Sequence, residues 1–201
     1  MQITVIRHGQ TPWNSEGRMQ GHTDIALCDT GLAQGEKVAA RLAKEPCDII
    51  YTSDLVRAVK TAEFINSHHN VPLVKTAALR EVSFGIFEGR IYDEAWVEMA
   101  QYDSLEQDYP QGESNTNFVA RINAFMDEVT RAGHKNIFIV AHGGTISAII
   151  CYLLKQTYRR FKYHVSNTSI YRFELVGENG FVMTIENDTA HLDGLSAEGR
   201  I

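Results

Sequence analysis

Short runs of apolar residues alternate along the chain with stretches in which apolar residues recur every three or four positions. Runs of the first kind predict β-strands at Ile3–Ile6, Asp48–Thr52, Val71–Val74 and Asn136–Ala141. Alternating apolar and polar residues predict two more strands at Thr168–Leu175 and Phe181–Glu186, joined by a hairpin turn at Glu178-Asn179-Gly180. Stretches of the second kind predict helices over Leu32–Leu42, Leu55–Ile65, Tyr92–Gln101 and Asn115–Arg131, with a further helix opened by Gly143-Gly144. The alternation predicts a single domain over residues 1–201, a three-layer α/β/α fold with a mostly parallel sheet and an antiparallel edge strand.

Two junctions between these elements carry further information. A long polar loop that contains Gly9, Gly17 and Gly21 follows the first strand, and long loops inside compact domains usually have a function. Ser53 follows the second strand and is predicted to cap the next helix. Arg57 then lies one turn into that helix, near the end of the strand that precedes it.

Two of the predicted strands are followed directly by a histidine, His8 in one case and His142 in the other. Ligands of open parallel sheets bind at the carboxyl ends of the strands, so we expect both histidines and Arg57 to share one rim. Together with Arg7 and Asn14 they supply hydrogen-bond donors from several elements. A convergent set of donors that includes arginine is suited to a tetrahedral phosphate.

The same residues suggest a chemical step. A neutral imidazole has a lone pair that can attack phosphorus, and neighbouring cations disfavour its protonation and offset charge on the phosphate oxygens. From the residues alone, either His8 or His142 is the nucleophile. Glu81 is the candidate acid for the leaving group, because Phe84 and Phe87 follow it closely and apolar surroundings favour a neutral carboxyl.

Each feature also has an ordinary structural explanation when it is taken singly. An Arg-His-Gly triplet fits a strand-end turn, Arg57 a surface ion pair, Glu81 a solvated carboxylate, and His142 a tight strand-to-helix junction. Structural or exposed roles are expected for the remaining histidines, which are His22, His68, His69, His134, His164 and His191. Core packing is expected for Tyr92, Trp96 and Tyr102, with a substrate-sorting wall formed together with Phe84 and Phe87 as the alternative.

Composition narrows the class of protein. The chain has 201 residues and a formal net charge of -6, which argues against a nucleic-acid or anionic-membrane surface. No apolar run is long enough to span a bilayer and no leader pattern precedes the first strand, so a cytoplasmic location is expected. Cys28, Cys47 and Cys151 have no disulfide or metal-site spacing. Whether the protein is a monomer or a homodimer stays open.

Several short sequence blocks follow one another in order between the first strand and about Asn167. They are Arg7-His8-Gly9-Gln10-Thr11, Trp13-Asn14, Gln20-Gly21, Ser53-Asp54-Leu55, Arg57-Ala58, Thr61-Ala62-Glu63, Leu79-Arg80-Glu81, Phe84-Gly85, Glu88-Gly89, Gly112-Glu113-Ser114 and Ala141-His142-Gly143-Gly144. As a series they resemble the histidine phosphatase superfamily, in its phosphoglycerate mutase-like branch. Within it, the pattern is similar to that of α-ribazole phosphatases and broad-specificity phosphatases.

This resemblance implies a phosphoglycerate mutase-like fold and phosphate transfer through a phosphohistidine, with no metal and no other cofactor. It implies that His8 is the nucleophile and that Glu81 is the proton donor, which later activates water. The other matched positions are Arg7, Arg57 and His142 in the phosphate pocket and Asn14, Gln20, Gly21 and Gly143 in substrate binding. The family often has threonine where Cys28 stands, so a helix-capping hydroxyl is expected to be missing there.

We therefore expect a phosphomonoesterase that acts on a small-molecule phosphate ester, with no nucleic-acid or membrane partner. The stretch from Glu81 to His142 is shorter than in phosphoglycerate mutases, which implies a smaller cover and easier access for water. A mutase that uses the same residues is the first alternative, and a phosphate-binding module without turnover is the second. The sequence does not name the substrate, whose selection is assigned to the covering segment at about residues 84–112.

Overall fold

A six-stranded sheet forms the centre of the computed structural model, which describes residues 1–102, 107–159 and 162–195. Its strands are β1 (Gln2–Arg7), β2 (Ile49–Ser53), β3 (Leu73–Thr76), β4 (Asn136–Ala141), β5 (Ile170–Leu175) and β6 (Phe181–Asp188), in the spatial order β3-β2-β4-β1-β5-β6. The first four are parallel, while β5 pairs antiparallel with both β1 and β6. The predicted mixture of parallel strands and an antiparallel edge is confirmed.

Helices cover both faces of this sheet. They are α1 (Pro12–Ser15), α2 (Asp29–Leu42), α3 (Val56–His69), α4 (Tyr92–Met99), α5 (Asn115–Arg131) and α6 (Gly143–Leu153). Single 3-10 turns lie at Ala77–Leu79, Gly85–Phe87, Ala100–Tyr102, Gly177–Asn179 and Ala190–Leu192. In the described part of the chain, no helix is both long enough and apolar enough to cross a membrane. The cytoplasmic location stays a prediction.

Two apolar clusters, one on each face of the sheet, make up the core. Ile3 and Val5 of β1 pack with the buried faces of α5 and α6, whereas Ile6 packs with those of α2 and α3. This division follows from the alternation of side chains along a strand. Because both faces are covered, the parallel strands are apolar runs rather than alternating ones, and the three-layer prediction is confirmed.

The start of α3 differs from the prediction. Ser53 ends β2 and does not cap the helix, which begins at Val56 with Leu55 at the N-cap. The N–H of Val56 donates instead to the carboxylate of Asp24, at 2.7 Å. A residue from the long loop therefore does the capping, and nothing in the local sequence indicates it. Arg57 is the second residue of α3 and still lies at the rim.

α2 has no side-chain cap at Cys28, as expected from the residue at this position. Cys28 is the N-cap of α2, yet its side chain accepts no hydrogen bond from the first turn. Its thiol lies 3.4 Å from the carbonyl oxygen of Gln10. In contrast, α1 within the preceding loop has a full capping box between Thr11 and Asn14, with Pro12 as its first residue.

Candidate active site

The ends of β1 and β4 place the two histidines side by side. These strands pair in parallel with Arg7 opposite Ala141, so the residues that follow them, His8 and His142, are neighbours on one rim. Their ring centroids are 5.1 Å apart and the rings are inclined at 59°. Both side chains are buried. The prediction that the two strand-end histidines share a rim is confirmed.

The two imidazoles differ in the hydrogen bond at Nδ1, which His8 donates and His142 accepts. Nδ1 of His8 lies 2.7 Å from the carbonyl oxygen of Gly9, and because a carbonyl only accepts, this nitrogen carries the proton. Nδ1 of His142 accepts from Nε of Arg57 at 3.2 Å, so its proton is on Nε2. In the neutral state, therefore, His8 has a free lone pair at Nε2 and His142 has an N–H donor there.

Both imidazoles are held neutral at pH 7. Burial is the main cause that places the pKa of His8 well below 6.5, followed by the charges of Arg57 and Arg7. The pKa of His142 is also well below 6.5, first because of burial and then because of Arg57. A neutral His8 has the lone pair that nucleophilic attack requires.

The two arginines are fixed by backbone carbonyls. Arg57, which is 1% exposed, donates through Nη2 to Gly21 O at 2.8 Å and through Nη1 to Thr23 O at 2.9 Å. Arg7 donates through Nη1 to the carbonyl oxygen of Val165. Burial lowers the pKa of each guanidinium to about 10, and the charge of Glu81 opposes that shift. Both remain cationic at neutral pH, as phosphate binding requires.

Glu81 contacts the start of α6, just after His142, and is held by backbone donors. Its Oε2 accepts from the N–H of Gly144 at 2.8 Å, and its Oε1 accepts from that of Val82 at 2.9 Å. A Cβ on Gly144 would lie 2.4 Å from Oε1 of Glu81, so glycine is needed for this approach. Arg121 of α5 also donates to the carbonyl oxygens of this loop, including that of Glu81 at 3.3 Å.

A cavity of about 540 Å³ joins these groups. Its lining includes most of the predicted site residues: Arg7, His8, Gln20, Gly21, Arg57, Glu81, His142 and Gly143. Asn14 is not part of the lining. The structure places its side chain in the capping box of α1, where Oδ1 accepts from the N–H of Thr11 at 3.1 Å. A substrate-binding role for Asn14 stays a prediction.

Aromatic residues form much of the remaining wall, but not the full predicted set. Phe84 and Tyr92 line the cavity. Phe87 packs against Tyr102 and Tyr109 instead. Neither Phe87, Trp96 nor Tyr102 contributes to the lining within the described residues. A substrate wall is therefore possible only with Phe84 and Tyr92 from the predicted group.

Sequence reasoning missed two groups of residues at the site. Tyr158, Tyr163 and His164 line the cavity from the stretch after α6, where no motif or periodicity marks them. Thr61 and Asn167 hold the backbone beside the nucleophile candidate, because Thr61 Oγ1 accepts from Gly9 N at 3.1 Å and Asn167 Nδ2 donates to His8 O at 3.1 Å. Thr61 belongs to one of the recognised blocks, which was the available signal.

The histidines predicted to be structural have mixed positions. His69 packs its ring edge-on against Phe138, and His22 lies with Nε2 2.9 Å from the carbonyl oxygen of Glu81. His164, by contrast, lies at the cavity. The described residues contain no group of three or more His, Cys, Asp or Glu side chains arranged to hold a metal ion.

The depressed pKa values of His8 and His142 predict a loss of stability in acid. Below pH 6.5 the unfolded chain binds protons that the folded chain excludes, so the free energy of unfolding falls with pH, by about 1.4 kcal/mol per pH unit for each such histidine. His69 and His191 shift in the same direction. Because these histidines also contribute, the test compares a variant with wild type. Between pH 6.5 and 5.0, the free energy of urea unfolding should change less steeply with pH in His142→Gln than in wild type, by about the contribution of one histidine. His68→Gln, at the exposed end of α3, is the control, and an equal slope in wild type and His142→Gln would contradict the prediction.

Comparison with known proteins finds similar sequences and folds over nearly the whole chain. The sequence model of the histidine phosphatase superfamily (branch 1) matches residues 3–189. A probable phosphoglycerate mutase of Yersinia pestis is 30% identical over 96% of this chain and 95% of its own. The crystal structure of a phosphoserine phosphatase from Entamoeba histolytica in complex with 3-phosphoglyceric acid has a TM-score of 0.82 and 30% identity, covering 95% of this chain and 98% of the other. An α-ribazole phosphatase structure from Shigella flexneri has a TM-score of 0.83 and 25% identity, covering 94% and 96%.

Proposed function

The chain belongs to the histidine phosphatase superfamily, branch 1, and from that membership we propose that it is a phosphomonoesterase acting through a phosphohistidine on His8. Relatives in this superfamily include phosphatases and mutases of small phosphate esters. The proposal is hydrolysis of a small-molecule ester, with no metal or other cofactor in the reaction.

The proposal rests on one observation: Nδ1 of His8 donates a hydrogen bond, whereas Nδ1 of His142 accepts one. Nδ1–H of His8 donates to Gly9 O, which leaves the Nε2 lone pair free for attack on phosphorus. Arg57 occupies the Nδ1 lone pair of His142, so that His142 presents a donor at Nε2. This nitrogen of His142 and Nε of Arg7 are buried without a protein partner among the described residues. Phosphate oxygens would accept from both.

The reaction follows from this arrangement in two steps. Nε2 of His8 forms a bond to phosphorus while the bond from phosphorus to the ester oxygen breaks, and Glu81 gives a proton to the departing oxygen. Water then attacks phosphorus while its bond to Nε2 breaks, and Glu81 takes a proton from that water; His8 is restored and inorganic phosphate is released. Arg7 and Arg57 offset the charge of the transferring group in both steps.

The cavity supports an organic ester with a sizeable apolar part as the substrate. Beyond the phosphate-binding end, Phe84, Tyr92, Tyr158 and Tyr163 contribute to its walls. Its volume of about 540 Å³ is in the range of small-molecule sites. Aromatic walls bind an apolar leaving group by burial and stacking. A turnover screen over phosphate monoesters of this class would identify the physiological substrate.

A mutase is the second candidate, because a relative of that description matches nearly the whole chain. Both reactions share the phosphohistidine and differ in what accepts the phosphoryl group, either water or a second hydroxyl. With 3-phosphoglycerate and a generic aryl phosphate as substrates, and a chelator present, we expect release of inorganic phosphate to exceed formation of 2-phosphoglycerate by about tenfold or more. Faster isomerisation than phosphate release would reject the phosphatase, and loss of all activity on chelation would reject metal independence.

A further inference from the structure

We propose that Glu88 is a positioning residue for Arg57, acting through the peptide groups of residues 21–24. The inference rests on the proposed function, in which Arg57 binds the phosphoryl group. Glu88 itself does not line the cavity. Its influence on the site is therefore indirect, through the loop that it holds.

The carboxylate of Glu88 accepts hydrogen bonds from His22 and Thr23 in this loop and from Phe84 in its own loop. Oε1 accepts from the N–H of His22 at 3.0 Å and from that of Phe84 at 3.1 Å. Oε2 accepts from the N–H of Thr23 at 2.8 Å and from the hydroxyl of the same residue. Each oxygen thus takes two donors, and three of the four come from the loop that follows Gln20.

The same loop presents its carbonyls to Arg57 on the other side. Nη2 of Arg57 donates to Gly21 O and Nη1 donates to Thr23 O. The carbonyl of Gly21 and the N–H of His22 are the two ends of one peptide group. A single peptide group therefore lies between the Glu88 carboxylate and the Arg57 guanidinium, and each charge polarises it in the direction that strengthens the other hydrogen bond.

Gly21 shows that this approach is built into the backbone. Its φ is +53°, a conformation that side chains disfavour. A Cβ at this position would lie 2.2 Å from Oε1 of Glu88. With a Cβ there, the carboxylate would have to shift from its present place at the His22 N–H. The charge of Glu88 also raises the pKa of Arg57, as those of Glu81 and Asp24 do, against the larger lowering by burial.

Through this loop, Glu88 sets the orientation of the Arg57 guanidinium. Arg57 must keep Nε on Nδ1 of His142 while it faces the phosphate. Two carbonyls on an otherwise untethered loop would fix it poorly, but a carboxylate that holds three donors of that loop fixes both carbonyls. Loss of the carboxylate should loosen Arg57 and, through it, the proton arrangement on His142.

Glu88→Gln tests this, because glutamine keeps the size but replaces one acceptor oxygen with an amide donor. The first readout is the Kd for inorganic phosphate, measured by calorimetry; we expect it to rise about tenfold. The second is exchange of the Arg57 Nε–H with water, followed by ¹⁵N NMR and assigned by its loss in Arg57→Lys; we expect it to accelerate about tenfold. Glu98→Gln, the same change in an exposed pair with Arg90, should alter neither.

A Glu88 that merely ties two loops together would lower the melting temperature and leave both readouts within twofold of wild type, and that result would overturn the inference. Weaker phosphate binding with unchanged Arg57 exchange would overturn it too. Thr23→Val removes only the hydroxyl contact to Glu88 and keeps the test available should Glu88→Gln not fold; it should raise the Kd about threefold, and no change would count against the inference. Because both readouts are independent of turnover, they stay valid if wild type binds phosphate but hydrolyses no ester, an outcome that rejects the proposed function alone.

Discussion

His8→Ala is expected to reduce the hydrolysis of an aryl phosphate by about 10⁴-fold or more, because it removes the atom that we propose forms the covalent intermediate. The same change should abolish phosphoryl labelling of the chain. A phosphohistidine is a phosphoramidate, so labelled wild-type protein should lose its phosphate in acid and keep it in alkali. Rapid quenching after mixing with labelled substrate, followed by acid or alkaline treatment, measures both properties.

His142→Gln is the control that separates the two histidines. Glutamine keeps an N–H donor for phosphate but has no nucleophilic nitrogen. If His8 attacks, this variant turns over more slowly and still acquires the alkali-stable label. Labelling of His8→Ala together with unlabelled His142→Gln would assign the attack to His142 instead.

The shared rim was predictable because it depends only on the strands being parallel. Both histidines directly follow apolar runs, and parallel strands bring their carboxyl ends to one edge. Which imidazole has its lone pair free was not predictable from the residues. That property depends on contacts with Gly9 O and with Arg57, and Arg57 is 85 positions from His142 in the chain.

The predicted cap of α3 was wrong for a related reason. Ser53 has the residue type and the place of an N-cap, but the acceptor at Val56 comes from Asp24, 32 positions away. Local propensity gives way when a distant side chain satisfies the helix more directly. The long loop thus provides both this cap and the carbonyls that hold Arg57.

The sequence pattern predicted only part of the cavity wall. Aromatic residues near the acidic loop were expected to line it, and Phe84 does so, but the ring of Phe87 packs into the core instead. Tyr158 and Tyr163 come from a stretch with neither helical nor strand pattern. Such a stretch is positioned by tertiary packing alone, so its share of the wall had no signature in the sequence.

Glu81→Gln is expected to have an effect that depends on the leaving group. An alkyl phosphate needs a proton on its departing oxygen, so its hydrolysis should fall by about 10²- to 10⁴-fold, the usual worth of a positioned acid. Nitrophenolate leaves a nitrophenyl ester without that proton, so formation of the phosphohistidine should be little affected. Glutamine keeps the side-chain size, and its amide oxygen still accepts one of the two backbone N–H groups that Glu81 binds.

The second step should also slow in this variant, because no carboxylate remains to take a proton from the attacking water. Stopped-flow measurement with the nitrophenyl ester should therefore show a burst of nitrophenolate of about one per chain, followed by slow turnover. Glu63→Gln, on the exposed face of α3, is the matched control and should behave as wild type. Equal losses on both esters with no burst would mean that Glu81 acts by holding Gly144 and the start of α6 in place, since a proton donor and water activator has to produce both the leaving-group dependence and the burst.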